Sequence, residues 1–345
     1  MRIFSYRNKR LVKKTVRIAL AVLLGILALI ACRIIYLGRF VTYDAQGAHL
    51  DYEQHLQADR TPQVQAPNEE FSFDTVLDDT AEEDASQSGS TKLSGYYITT
   101  TMLANDLDEV RAALDQYDDY NAIMLDVKSV FGSFYYSSSI TGAVKATVMD
   151  VTQVDALIKE LAQKKGVTLI ARVPAFSDPE YALKHQSQAL PLSNGALWTD
   201  ENNCYWLNPY SNDVQGYLSS IALELAGLGF DEVLFDDFYF PDSDRISWTG
   251  DITKQEAILD AADNLSANLL NQSIRLDLGT SDPEVAAYCS RVFITTNNAS
   301  QIESDVTALS GVLSDTAAQI VYITDSRDTR FDSCGAMRPL IDETE

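Results

Sequence analysis

In the stretch 233-VLFDDFYF-240, closed by Pro241, three apolar residues run into two adjacent carboxylates, Asp236 and Asp237, and three aromatics follow. Acids and one arginine recur at the ends of other apolar runs: Asp126 in 123-IMLDVKS-129, Arg172 in 167-VTLIARV-173, Asp277 in 274-IRLDLG-279 and Asp325 in 320-IVYITDS-326. Two carboxylates opposed across a sugar ring, one kept protonated by its surroundings and one ionised, are what cleavage of a glycosidic bond requires. Aromatic faces for stacking on sugar rings are on hand in Tyr135, Tyr136, Trp198, Trp206, Tyr210, Tyr239 and Trp248.

Each of these residues also has a plainer reading. Asp126 can pair with Lys128, which lies on the same face of an extended segment. Arg172 can orient a ligand or simply neutralise a neighbouring acid. Asp236 and Asp237 point to opposite faces if the strand continues through both, so one would face a site and the other would cap or face solvent. The NPY of 205-YWLNPYSNDV-214 reads as a turn into a helix capped by Ser211.

The elements that must position these residues alternate. Strand-like runs occur at 95–100, 122–127, 167–173, 232–238, 274–279, 291–296 and 320–326, and helical patterns at 106–117, 151–166, 211–229, 254–272 and 302–315 lie between them. Helices between buried-looking strands imply parallel pairing. Seven such units favour a (β/α)8 TIM-like barrel, in which strand C-termini form the site face. The tail 327-RDTRFDSCGAMRPLIDETE-345 shows no clear strand, so the barrel can be incomplete. A doubly wound open sheet is the alternative, but no glycine-rich loop follows the first strand to take a dinucleotide.

The succession 95-GYYITT-100, 122-AIMLDVKSVFGSFYY-136, 167-VTLIARVPAFSDPEYALKH-185, 206-WLNPYSNDVQGY-217 and 226-AGLGFDEVLFDDFYFP-241 resembles the "putative glycosyl hydrolase domain" family of bacterial surface and secreted proteins. That family reads roughly IDVKD, ARVVAFKDP, W-V-NPY and GFDEIQFDYVRFP. The resemblance implies a TIM-like barrel with α-amylase-like relatives, and action on an external or cell-wall polysaccharide. It places Asp126, Lys128, Arg172, Asn208 and Asp236 at motif positions and favours Asp236 over Asp237. Where the motif carries a tyrosine and an arginine, this chain has Asp237 and Tyr239. The resulting expectation is Asp236, Asp126 and Asp237 as catalytic carboxylates, with Arg172, Lys128, Asn208, Trp206, Tyr210 and Tyr239 contacting substrate. The competing expectation is a catalytically degenerate barrel that binds glycan or a cell-envelope partner.

Charge divides the chain. The net charge is −24, yet residues 1–39 hold nine Lys/Arg and no acid, so the remainder carries −33. So acidic a surface repels nucleic acid, and no nucleic-acid partner is expected. The basic stretch 1–17 followed by apolar 18–38 reads as a cytoplasmic segment and a single-pass transmembrane signal anchor, with the rest of the chain extracytoplasmic. A cleaved signal peptide and a lipoprotein acylated at Cys32, within 29-LIAC-32, are the alternatives. Residues 39–92 have the composition of a disordered acidic linker, and 93–345 would form the barrel domain. Three cysteines beyond Cys32 make no disulfide framework, and three histidines without CxxC or HxxxH argue against zinc. No metal or cofactor is expected.

Overall fold

The computed structural model describes residues 41–44, 47–50 and 91–341. The chain divides into two units, Met1–Ala81 and Glu82–Glu345. In the first, Val41–Asp44 and Gly47–Leu50 pair as antiparallel strands within the stretch expected to be linker. The remaining residues of that stretch before residue 91 lie outside the described ones.

The second unit is a closed, all-parallel eight-stranded barrel. Its strands are β1 (Ser94–Ile98), β2 (Ala122–Asp126), β3 (Thr168–Pro174), β4 (Glu232–Asp236), β5 (Arg275–Gly279), β6 (Arg291–Thr295), β7 (Ile320–Ile323) and β8 (Gly335–Pro339). Each strand pairs with the next, and β8 pairs back with β1 through Ala336 to Pro339. The longer helices are α1 (Leu107–Gln116), α2 (Val151–Leu161), α3 (Asn212–Gly227), α4 (Lys254–Leu269) and α5 (Ile302–Leu309).

Side-chain alternation along the strands separates two cores. Ala122, Met124, Ile170, Leu234, Phe293, Val321, Ile323 and Met337 fill the barrel interior together with Leu93. The intervening residues, such as Ile123, Leu125, Leu169, Ala171, Val233, Phe235, Leu276 and Leu278, pack outward against the helices. Every strand is therefore buried on both faces, which is why the strands read as near-continuous apolar runs. By the same parity Asp126, Arg172, Glu232, Asp236, Arg275, Asp277 and Arg291 belong to the interior row.

The helices follow from their own signals. α4 begins in a capping box, in which the Thr253 side chain accepts from Glu256 N and Glu256 accepts from Thr253 N. It buries Ile258, Ala261, Ala262, Leu265 and Leu269, the stripe expected of a helix lying on a sheet. Ser211 caps α3, which buries Val214, Leu218, Ile221 and Leu225. Truncating one of these leucines would cost about 2–5 kcal/mol. Gly95 is demanded by packing, because a Cβ there would lie 1.8 Å from the Ala122 carbonyl oxygen on β2.

Two expectations are corrected. The barrel is not incomplete, since Gly335–Pro339 supplies the eighth strand and closes the ring. The transmembrane anchor expected over 18–38, with its single-pass topology, membrane partner and extracytoplasmic placement, is not retained. Among the described residues no helix is long and apolar enough to cross a membrane. The longest, α3 and α4, have 16 residues each, about 24 Å of helix against a hydrocarbon layer of about 30 Å. Residues 18–38, and the acylation alternative at Cys32, lie outside the described residues.

Candidate functional site

The C-terminal ends of β2, β3 and β4 bring three of the acids and one arginine together. Arg172, at the end of β3, donates from Nε and Nη2 to the two carboxylate oxygens of Asp126 on β2, at 2.5 and 2.6 Å. Its Nη1 lies 3.7 Å from Asp236 Oδ2 on β4, and its guanidinium stands 5.7 Å from the Tyr97 ring centroid. The planar fork is what makes arginine suited to bridge two carboxylates. Burial works against its charge, but Asp126 and then Asp236 outweigh that and raise the guanidinium above its ordinary value.

Asp237 departs from the expected alternation. Its φ is +54°, in the left-handed region that a non-glycine residue enters at a cost of about 1 kcal/mol or more. Asp236 Oδ1 accepts the Asp237 N–H at 3.0 Å, and Tyr239 N donates to the Asp237 carbonyl at 2.9 Å. Phe238, buried, anchors the bend against Phe176 with ring centroids 5.0 Å apart. The reversal places Asp237 beside Asp236 on the same cleft instead of on the opposite strand face. Burial first, and then the charge of Asp236, push the Asp237 carboxyl up to about 6. Gly279 on β5 makes room for the arrangement, because a Cβ there would lie 2.4 Å from Asp236 Oδ1.

Around these groups lies a cleft of about 520 Å³, lined by Asp126, Lys128, Arg172, Asp236 and Asp237 together with Thr100, Thr101, Ser129, Phe131 and Tyr135. The volume suits one or two sugar rings. The far wall is the loop after β2, which is held by α3. Glu224 accepts from Tyr136 OH and Ser138 Oγ, both at 2.7 Å, and from Ser139 N at 2.5 Å. A second groove of about 510 Å³ is lined by Trp198, Asp200, Glu201, Trp206, Tyr239, Asp242 and Arg245. There the Trp206 and Tyr239 rings lie 5.2 Å apart.

The remaining expected residues separate. Lys128 faces the cleft, but its ammonium is buried in an ion pair with Asp178 Oδ2 at 2.9 Å. Asp178 Oδ2 also accepts from Tyr217 OH at 2.8 Å. Trp206 is buried and donates its indole N–H to Asp200 Oδ2 at 3.0 Å. Asn208 accepts from Tyr210 N at 3.1 Å, as a turn residue does, and Tyr210 meets Trp248 edge-on; neither lines the two grooves. Asp277 is fully buried inside the barrel, and Asp325 lines a different groove with Arg327 and Arg338. Among the described residues no group of three or more His, Cys, Asp or Glu is placed to hold a metal ion, and Cys204, Cys289 and Cys334 are free thiols.

Sequence reasoning missed Asp178, the partner that consumes Lys128, and Phe131, an apolar ring 58% exposed at the cleft. The Asp178-Pro179 pair advertises only a helix cap, which Asp178 also provides by accepting from Tyr181 N. The exposed Val130-Phe131 pair, following a strand-end acid, was the available signal for the cleft wall.

Several solved structures are similar to this chain. A hypothetical protein from Ruminiclostridium thermocellum is 28% identical at a TM-score of 0.45, covering 53% of this chain and 96% of its own. A GH36 alpha-galactosidase from Geobacillus stearothermophilus is 15% identical at 0.51, covering 73% of this chain and 40% of its own. A GH20 exo beta-N-acetylglucosaminidase from Vibrio harveyi is 10% identical at 0.50, covering 68% and 41%. This chain thus spans about two fifths of the length of those two enzymes, and likeness at such identity is likeness of fold. No curated protein matches. The model of one family matches residues 95–311, from the first barrel strand through α5, and this chain therefore belongs to the family described as "Putative glycosyl hydrolase domain".

Proposed function

We propose that the barrel binds a glycan in the cleft at the C-terminal ends of β2–β4. One observation carries the reading: Arg172 and the carboxylates of Asp126, Asp236 and Asp237 converge on one open cavity beside an exposed aromatic ring. Carboxylates accept paired hydroxyl donors, guanidinium hydrogens meet ring and hydroxyl oxygens, and flat rings cover the apolar faces of sugars. A saccharide presents all three kinds of surface, whereas a nucleic acid would be repelled.

Binding is favoured over cleavage because Asp126 is held by two hydrogen bonds from Arg172. The other two carboxylates sit on consecutive residues of one strand end, while hydrolysis asks for two that flank the scissile bond, about 5–10 Å apart. One observation supports a second reading, glycoside hydrolysis. Asp237, held near 6, has the protonation behaviour of a general acid, and Asp236 beside it would serve as base or nucleophile.

The test is a panel of oligosaccharides presented to the full chain, with calorimetry for binding and chromatography for products. Saturable binding without new products, weakened by Arg172→Leu, is expected. Absence of binding across the panel would remove the proposal. Products that disappear in both Asp236→Asn and Asp237→Asn would replace it with the hydrolase reading.

A further inference from the structure

Resting on the glycan reading, the charge of the cleft narrows the class of glycan. Three carboxylates converge there, and among the described residues lining the cleft the cation available to them is Arg172, because Lys128 is paired with Asp178. Arg172 is bidentate to Asp126 and reaches Asp236 at 3.7 Å. Asp237 receives no ion pair or hydrogen bond on its carboxylate from any described residue. A partly buried carboxylate without a partner is costly, and a ligand that supplies a cation or a donor there removes the cost.

The same polarity continues beyond the cleft. Past Asp237 the chain leads through Phe238 to Tyr239, a residue 48% exposed that forms part of the second groove. That groove carries Asp200, Glu201 and Asp242 against Arg245. Asp200 spends its hydrogen-bonding capacity on the backbone N–H groups of Asn202 and Cys204 and on the Trp206 indole. Its charge remains, and burial together with Asp237 and Asp200 raises the Tyr239 phenol above its usual value. An open aromatic face flanked by uncompensated negative charge suits a ring that is apolar on its face and cationic on its edge.

We infer that the two grooves form one extended site for a glycan carrying free amino groups, with an ammonium at Asp237 and an adjoining ring stacked on Tyr239. The carboxylate takes the ammonium as a charge-assisted hydrogen bond, and a neutral acetamido group at that position leaves the carboxylate unpaired.

The experiment compares full-length protein binding to a glucosamine tetramer and to an N-acetylglucosamine tetramer by calorimetry at pH 7, above the value to which Asp237 is pushed. The glucosamine tetramer should bind about tenfold more tightly, the worth of one charge-assisted hydrogen bond in a partly desolvated site. Asp237→Asn should remove that preference, and Tyr239→Ala should weaken both tetramers alike. Matching thermal unfolding curves establish that the variants are folded. Equal affinity for the two tetramers, or a preference that survives Asp237→Asn, overturns the inference and leaves the glycan reading intact. A lysine tetrapeptide that binds as tightly as the glucosamine tetramer overturns it in favour of a cationic peptide. Failure of every saccharide removes the glycan reading itself.

Discussion

The barrel carries two sets of acids and arginines on its interior row, one at each end, and they behave in opposite ways. At the N-terminal end Glu232 of β4 is fully buried between two arginines, accepting from Arg275 Nη2 and from Arg291 Nε at 3.1 Å. Arg291 Nη1 donates to the carbonyls of Thr91 and Ala318, at 3.0 and 2.5 Å. At the other end of the same strand Asp236 shares Arg172 with Asp126, and all three face a cavity. The residue types match; what differs is whether protein or open space meets the leftover hydrogen-bonding capacity. An acid in a barrel strand therefore points to ligand binding only when its end of the strand opens to solvent.

The contrast breaks most visibly at Glu232. Glu232→Ala leaves Arg291 buried and uncompensated, and should cost about 3–5 kcal/mol in urea unfolding. A loss below about 1 kcal/mol would mean that the floor network is not what fixes the strands there.

Asp277 is the weak member of the floor. It is fully buried beside Glu232, and burial first, then the neighbouring Glu232 carboxylate, hold its carboxyl well above the usual range. A carboxyl raised on folding supports stability below its unfolded value, about 3.9, and loses that support as pH rises toward its folded value. Asp277→Asn should therefore leave stability unchanged near pH 4 and raise it by about 1–3 kcal/mol at pH 8. Thermal midpoints of both proteins across that range measure it. A variant less stable at pH 8 would show that the ionised carboxylate contributes to the floor network.

At the mouth the order of effects reverses. Arg172→Leu should cost the fold only about 1 kcal/mol, since the groups it serves are partly solvated. Glycan affinity in the same variant should fall about tenfold or more, because the fork that aligns Asp126 and Asp236 is gone. Urea unfolding and calorimetry on one preparation compare the two. A large stability loss with unchanged affinity would make the mouth a second floor.

These two ends explain what could be read from the amino-acid order. Seven strands were legible because burial on both faces makes each a nearly unbroken apolar run. The eighth, 335-GAMRP-339, was not, since glycine, alanine and proline carry little strand preference. It is held by pairing with β7 and β1 on both edges, and a Cβ at Gly335 would press on Val321 Cγ2 at 3.0 Å. Asp126, Arg172 and Asp236 were legible as strand-end residues. Asp277 was not distinguishable from them, because it stands on the same interior row and only the surrounding barrel buries it. The neutralisation of Lys128 could not be seen, as Asp178 comes from the loop after a different strand. Parity reasoning at Asp236 and Asp237 failed for a local reason, a backbone turn with positive φ that period-two alternation does not contain.

That turn yields the smallest effect and the finest test of the mouth. Asp237→Gly relieves the left-handed strain and removes a carboxylate crowded by Asp236, while the added freedom of the unfolded chain offsets part of the gain. The net should be a stabilisation of about 0.5–1 kcal/mol at pH 8. Because Asp237 is pushed up to about 6, its ionisation destabilises the fold progressively from its unfolded value, about 3.9, up through 6. The electrostatic part of the gain should accordingly shrink toward pH 4, leaving the backbone part alone. A pH-independent gain would assign the whole effect to the backbone. A variant destabilised at every pH would mean that the Asp237 side chain, despite its strained position, holds the mouth together.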